Sequence, residues 1–220
     1  KEINVDSLDI EEIHINNGNV EEANQLIYEN SIEILETKPK TIFLGGDHSI
    51  SYSLGKSFLD YCKNNNKKPC LIIFDAHPDC MEPVDNRIPT HEEWLYSLIN
   101  SGFPKENIFL VGIRNSYKTE IDFLKKNKIK VMNMNALLEN LEDSCDTLME
   151  FSKSKELYLS LDVDVIDPSF APATGYKEPG GLTSRQMIYL IQRFNKLKNL
   201  KFIDLVEINP DRDKEDLTIK

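Results

Sequence analysis

Positive charge is in short supply in this sequence: 26 Lys and Arg stand against 37 Asp and Glu, a net charge of −11. Such a balance lacks the electrostatic footprint needed for nucleic acid or an anionic membrane, and it leaves small cationic molecules as the better-suited ligands. Long apolar runs are missing too. No stretch approaches the roughly 20 apolar residues that cross a bilayer, and the opening KEINVDSLDIEE lacks the charged-then-apolar layout of a secretory leader. The expectation is a cytoplasmic protein with no membrane and no nucleic-acid partner. Cysteine is scarce as well: Cys62, Cys70, Cys80 and Cys145 have no short paired metal spacing, and a chain of 220 residues needs no disulfides to fold. A reducing compartment suits that pattern.

With 40% hydrophobic residues, the 220-residue chain can bury one sizeable core, and a single α/β domain over residues 1–220 is the economical reading. Short apolar runs at 41–44, 70–74, 107–112, 130–132, 157–161 and 201–206 have strand length and almost no alternation, as strands buried on both faces should. Between them, residues 20–37, 49–63, 91–101, 118–127, 135–152 and 184–196 carry helical periodicity. Strands alternating with helices predict a three-layer α/β/α fold around a mainly parallel sheet with crossover helices.

The chemistry-bearing residues cluster just after these strands, where the ligand crevice of an open parallel sheet forms. GGDHS (45–49) places His48 behind two glycines that permit a tight turn. DAHPD (75–79) offers Asp75, His77 and Asp79, and DVDVIDP (162–168) offers Asp162 and Asp164, with period-two extension predicted to aim each set one way. Taken singly, His48 reads as a loop histidine and the aspartates as turn or cap residues. Three independent loops supplying two imidazoles and four carboxylates at one sheet edge are hard to obtain from turn chemistry alone. Oxygen-rich ligation with few imidazoles suits Mn²⁺ and related ions, and six ligands suffice for two carboxylate-bridged ions. Such a pair acidifies a shared water, so metal-assisted hydrolysis is the predicted reaction.

These motifs, with SLDVDVIDPSFAPATG (160–175), EPGG (178–181) and VEINP (206–210), resemble the ureohydrolase (arginase/agmatinase) family in order over nearly the whole chain. The resemblance implies an arginase/deacetylase-like fold, a homo-oligomer and two Mn²⁺ per subunit. It further implies that His48, Asp75, Asp79 and Asp162 hold one ion while Asp75, His77, Asp162 and Asp164 hold the other. A hydroxide between the ions, oriented by Asp164, would then attack a guanidinium carbon and release urea and an amine. His91, in PTHEEW, falls where the family carries a proton-shuttling histidine, and Glu207 falls where it carries a carboxylate that grips the guanidinium. The resemblance begins after the family's first strand and stops short of its terminal helix, so both are expected to be missing from 1–220.

Departures from the family bear on the substrate. Met81 stands where arginases carry an Asn that recognises the substrate carboxylate, and Glu-Glu-Trp follows His91 where small residues are usual. The 80–93 loop bears Glu82, Asp85, Glu92 and Glu93 against a single Arg87, which favours a ligand ending in an amine. Agmatine, yielding putrescine and urea, therefore fits best, with Thr174, Glu178 and Arg87 as substrate-side candidates. Arginine or another guanidino acid is the alternative, since Arg87 could hold a carboxylate. A non-catalytic metal-binding assembly subunit and a single-zinc deacetylase are readings of other classes. Retention of His91, Glu207 and a second set of ligands speaks against both.

Overall fold

Six short apolar strands carry the architecture, in a computed structural model that describes residues 11–16, 18–84 and 88–219. They are β1 (Thr41–Leu44), β2 (Pro69–Phe74), β3 (Ile108–Ile113), β4 (Lys130–Asn133), β5 (Glu156–Asp162) and β6 (Leu200–Val206). All pair in parallel in the order β1-β6-β5-β2-β3-β4. Helices α1 (Val20–Thr37), α2 (Ile50–Asn64), α3 (Trp94–Asn100), α4 (Lys118–Asn127), α5 (Met134–Glu139), α6 (Leu141–Ser152) and α7 (Ser184–Phe194) connect or flank them. The sequence expectation of a three-layer α/β/α fold holds.

Parallel strands are covered on both faces, and every residue of β2 and β3 is buried. Alternation along β2 splits the core in two. Leu71 and Ile73 face the layer of α1 to α4 and pack with Leu54, Phe58, Leu98 and Leu124. Cys70, Ile72 and Phe74 face α5 to α7 and pack with Leu137, Leu148, Leu190 and Phe194. Each such side chain removed from water contributes about 1.5–3 kcal/mol, so two continuous apolar layers hold the sheet between the helices.

Two predicted helices differ by more than one or two end residues. The 91–101 helix begins at Trp94, because residues 91–93 form a separate turn. The 135–152 helix is two helices, broken at Asn140: its backbone is extended (φ −150°) and its side chain accepts the Asp143 amide as the N-cap of α6.

Chain order places the functional loops. From β2 the chain runs outward through β3 to β4, whereas β5 and β6 insert on the other side of β2. The order therefore reverses beside β2 and β5, and the carboxyl ends of those strands open the crevice. Register makes the juxtaposition local: Phe74 pairs with Leu161, one residue before Asp75 and Asp162, while Asp162 pairs with Val206, one before Glu207. Leu44 pairs with Leu205, which brings the 45–48 loop to the same end.

Candidate metal centre and active site

The tight turn after β1 starts the site. Gly46 has φ +70°, and a Cβ there would lie 2.8 Å from Ile50 Cγ2, so only glycine lets the turn deliver His48 into the crevice. His48 is fully buried, and its Nδ1 lies 3.1 Å from Asp75 Oδ2, 2.9 Å from Asp79 Oδ2 and 3.3 Å from Asp162 Oδ2. A second group forms where His77 Nδ1 approaches Asp164 Oδ2 at 2.9 Å and Asp75 Oδ1 at 3.6 Å. Asp75 joins the two groups by turning a different oxygen to each imidazole.

Backbone amides brace the outer oxygens of Asp162 and Asp164, and an indole braces the Asp79 oxygen that faces His48. Asp162 Oδ1 accepts from the Asp164 amide (2.8 Å), Asp164 Oδ1 from the Ala76 amide (3.0 Å), and Asp79 Oδ2 from Trp94 Nε1 (3.1 Å). The aspartates do not converge by the period-two extension expected from sequence. Asp79 is held in the left-handed region (φ 50°), and Asp164 lies on a 3₁₀ turn, Val163–Val165, whose N-cap is Asp162. Asp162 turns Oδ2 toward His48 and gives Oδ1 to an amide, so it lies in the first group, while the second comprises Asp75, His77 and Asp164.

The donor set fits divalent cations. Ser160 Oγ donates to Asp204 Oδ1 at 2.8 Å and lies 2.9 Å from His48 Nε2. With its proton committed to Asp204, the hydroxyl must accept from His48 Nε2–H, which leaves the Nδ1 lone pair facing three carboxylate oxygens. Like-signed atoms at that spacing repel unless a cation or proton sits among them. His48 Nδ1 and Asp75 Oδ2 are indeed both buried without a hydrogen-bond partner.

Titration reflects the same crowding. Burial, with Asp75 adding repulsion, pushes Asp79 up to about 7. Burial and then the neighbouring aspartates raise Asp162 well above the usual carboxylate range, and Asp164 is raised for the same reasons. Burial also opposes charge on Asp75, yet His48 and His77 outweigh it and hold this carboxyl down at about 2. His77 resists burial likewise and is driven up to about 12 by Asp164 and Asp75. Bound cations would take over the role of these shared protons.

Glu207 ends β6 in a left-handed conformation (φ 65°), and its Oε1 accepts the His48 amide at 2.8 Å. Burial raises its carboxyl, and the His48 amide partly offsets that. His91 Nε2 is buried with no hydrogen-bond partner among the described residues, and its ring lies 6.0 Å from that of Tyr176, which also lies 5.9 Å from the His77 ring. His77, His91 and Tyr176 meet at a cavity of about 70 Å³ lined also by Asp79, Glu92 and Tyr117. A larger concavity of about 600 Å³ beside α6 is an open surface groove that holds none of them.

Of the substrate-side candidates, Glu178 stands 3.4 Å from His77 Nε2 and accepts from Asn115 Nδ2 at 2.8 Å, so it braces His77. Thr174 is buried, with its carbonyl facing Arg212. Arg87 and Asp85 lie outside the described residues. Cys80 is buried beside the site, and burial pushes its thiol up.

Several contributors escaped the sequence reading. Arg114 ties the carbonyls of Asp164 (2.6 Å) and Glu178 (2.7 Å) together. Asp204 accepts from Ser51, Tyr158 and Ser160 and from the Leu161 amide. One signal for Asp204 was available, since a lone carboxylate in the apolar run LKFIDLV must find donors or stay neutral. Trp94 carried a weaker signal, as part of the Glu-Glu-Trp that follows His91, but nothing in the sequence tied it to Asp79.

Comparison with known proteins agrees with this geometry. The chain is 29% identical over 195 residues to an N(1)-aminopropylagmatine ureohydrolase of Thermus thermophilus, an alignment covering 88% of this chain and 63% of that protein. It is 31% identical over 192 residues to an arginase of Staphylococcus aureus, covering 80% and 62%. The chain thus spans less than two thirds of these relatives. Among solved structures, formimidoylglutamase from Bacillus subtilis superposes with a TM-score of 0.85 at 25% identity, over 94% of this chain and 65% of that one. The arginase family model matches residues 2–220, and with two imidazole–carboxylate groups at the sheet's switch point the chain belongs to the arginase family.

Proposed function

We propose that this chain holds two Mn²⁺ ions and hydrolyses a small guanidine with an amine tail, agmatine, to putrescine and urea. The observation that carries the proposal is Asp75, one buried carboxylate shared between two imidazole–carboxylate groups. Oxygen-dominated sets with one imidazole each suit manganese. Two such ions would supply Lewis acidity and an acidified water for attack at the guanidinium carbon.

The chain's own residues do the rest. Glu207, its Oε1 anchored on the His48 amide, presents its carboxylate to the guanidinium. Asp164, steadied through Oδ1 by the Ala76 amide, uses Oδ2 to orient the attacking water. His91, which lines the cavity beside His77 and whose Nε2 has no hydrogen-bond partner among the described residues, passes a proton to the departing amine. Tyr117, Tyr176 and Glu92 give the mouth aromatic faces and a negative charge, a chemistry that attracts an ammonium tail and repels a carboxylate. The Thermus relative's name, which specifies a longer amine-bearing guanidine, supports the same preference.

Urea release from agmatine and from arginine by the Mn²⁺-loaded protein, with Asp162→Ala as control, tests this. Urea from agmatine alone, lost in the control, is the expected result. Urea from arginine alone would overturn the amine-tail assignment and keep the hydrolytic one.

A further inference from the structure

Trp94 is fully buried at the start of α3. Its indole N–H donates to Asp79 Oδ2 at 3.1 Å, the same oxygen that faces His48 Nδ1 at 2.9 Å. The ring also lies over His48, with centroids 4.7 Å apart. Two backbone bonds stitch this turn to the aspartate loop: the Leu95 amide donates to the Asp79 carbonyl at 3.1 Å, and the Met81 amide to the Glu92 carbonyl at 2.9 Å. Asp79 itself sits at φ 50°, a conformation a non-glycine residue keeps only when its surroundings over-determine it.

An indole N–H is a donor only, so its role cannot invert. By occupying one lone pair of Asp79 Oδ2, it directs the other toward the point shared with His48, Asp75 and Asp162. The ring keeps water from that side of the imidazole. Resting on the metal reading above, we infer that Trp94 is a positioning residue of the His48 metal centre, fixing one carboxylate ligand and walling one imidazole ligand. Among the described residues no indole donates to the His77 group, where Asn115 and Glu178 stand instead. The two centres therefore differ in what holds their ligands.

Because Trp94 is the chain's one tryptophan, it reports on the site without interference. The experiment titrates Mn²⁺ into the intact chain and into Trp94→Phe, following free Mn²⁺ by electron paramagnetic resonance. The variant should bind one ion about 10-fold or more weakly, the range found when such supporting partners are lost, with the other ion unaffected. Two ions held as tightly as in the parent would overturn the role of the indole alone, whereas a parent that takes up no Mn²⁺ would overturn the metal reading beneath it. Should the variant not fold, the parent's single indole N–H resonance decides. It should exchange slowly with solvent and broaden at the first tightly bound Mn²⁺, and a sharp, fast-exchanging signal at saturation would refute the assignment.

Discussion

Replacing Ser160 by alanine separates the tautomer argument from simple burial. Ser160 Oγ donates to Asp204 at 2.8 Å and faces His48 Nε2 at 2.9 Å. Asp204 keeps Ser51 (2.7 Å), Tyr158 and the Leu161 amide (3.2 Å), so its charge stays satisfied in Ser160→Ala. The loss falls on His48, whose Nε2–H is left buried without an acceptor, a penalty of about 2 kcal/mol. For a chain of this size that lowers the metal-free Tm by roughly 4–8 °C. Freed from its acceptor, the imidazole no longer holds its proton on Nε2, and Nδ1 loses its standing as a ligand. Mn²⁺ affinity should fall about 10–100-fold at the His48 centre and stay constant at the His77 centre. Calorimetric melting and metal titration measure the two effects separately. A variant with a lowered Tm and unaltered Mn²⁺ affinity would refute the claim that Ser160 sets the tautomer, and a variant unchanged in both would refute the network.

Three other perturbations follow from particular contacts. Gly112 has φ +95°, and a Cβ there would meet Val165 Cγ2 at 2.7 Å and the Asp75 carbonyl at 3.1 Å. Gly112→Ala should therefore cost about 2–3 kcal/mol through backbone strain, read as a lower denaturant midpoint together with weakened metal binding. Asp167 accepts from Ser169, Gly180 and Gly181, and these bonds hold its carboxyl down at about 2. Its folded pKa lies below the unfolded value of about 3.9, so its contribution is full above about pH 4 and vanishes as pH falls through 2. Asp167→Asn should be less stable than the parent at pH 6 and equal to it near pH 2 in chemical unfolding. Mn²⁺ supplied about 100-fold above its Kd should add ~2.7 kcal/mol of stability, visible as a raised Tm that a chelator reverses. An unchanged melt on chelation would tell against cations in the cluster.

How far the sequence reached can be judged element by element. Apolar runs without alternation marked β2 and β3 as doubly buried strands, because burial on both faces leaves no position for a polar residue. Chemistry-bearing residues gather after parallel strands, so the sequence marked His48, Asp75, His77, Asp79, Asp162 and Asp164 as candidate ligands, whereas Glu207 stood out only through the family resemblance. The break at Asn140 was not, since the pattern on either side is helical and only the cap geometry divides it. Nor was the route by which the aspartates converge: local periodicity implied extension, whereas a 3₁₀ turn and a left-handed residue do the work, both held by partners distant in sequence.

The sequence by itself determined the layered fold, the acidic balance and the inventory of candidate ligands, because these depend on residue type and spacing along the chain. Tertiary structure alone decided which oxygen of Asp75 faces which imidazole, that Ser160 and Asp204 orient His48, that Glu178 stands against His77, and that an indole from α3 closes over the site. Each of these is a contact between loops that approach only when β1, β2, β5 and β6 lie side by side. Hydrogen-bond direction depends on distances of a few ångströms between such loops, and no local pattern encodes them.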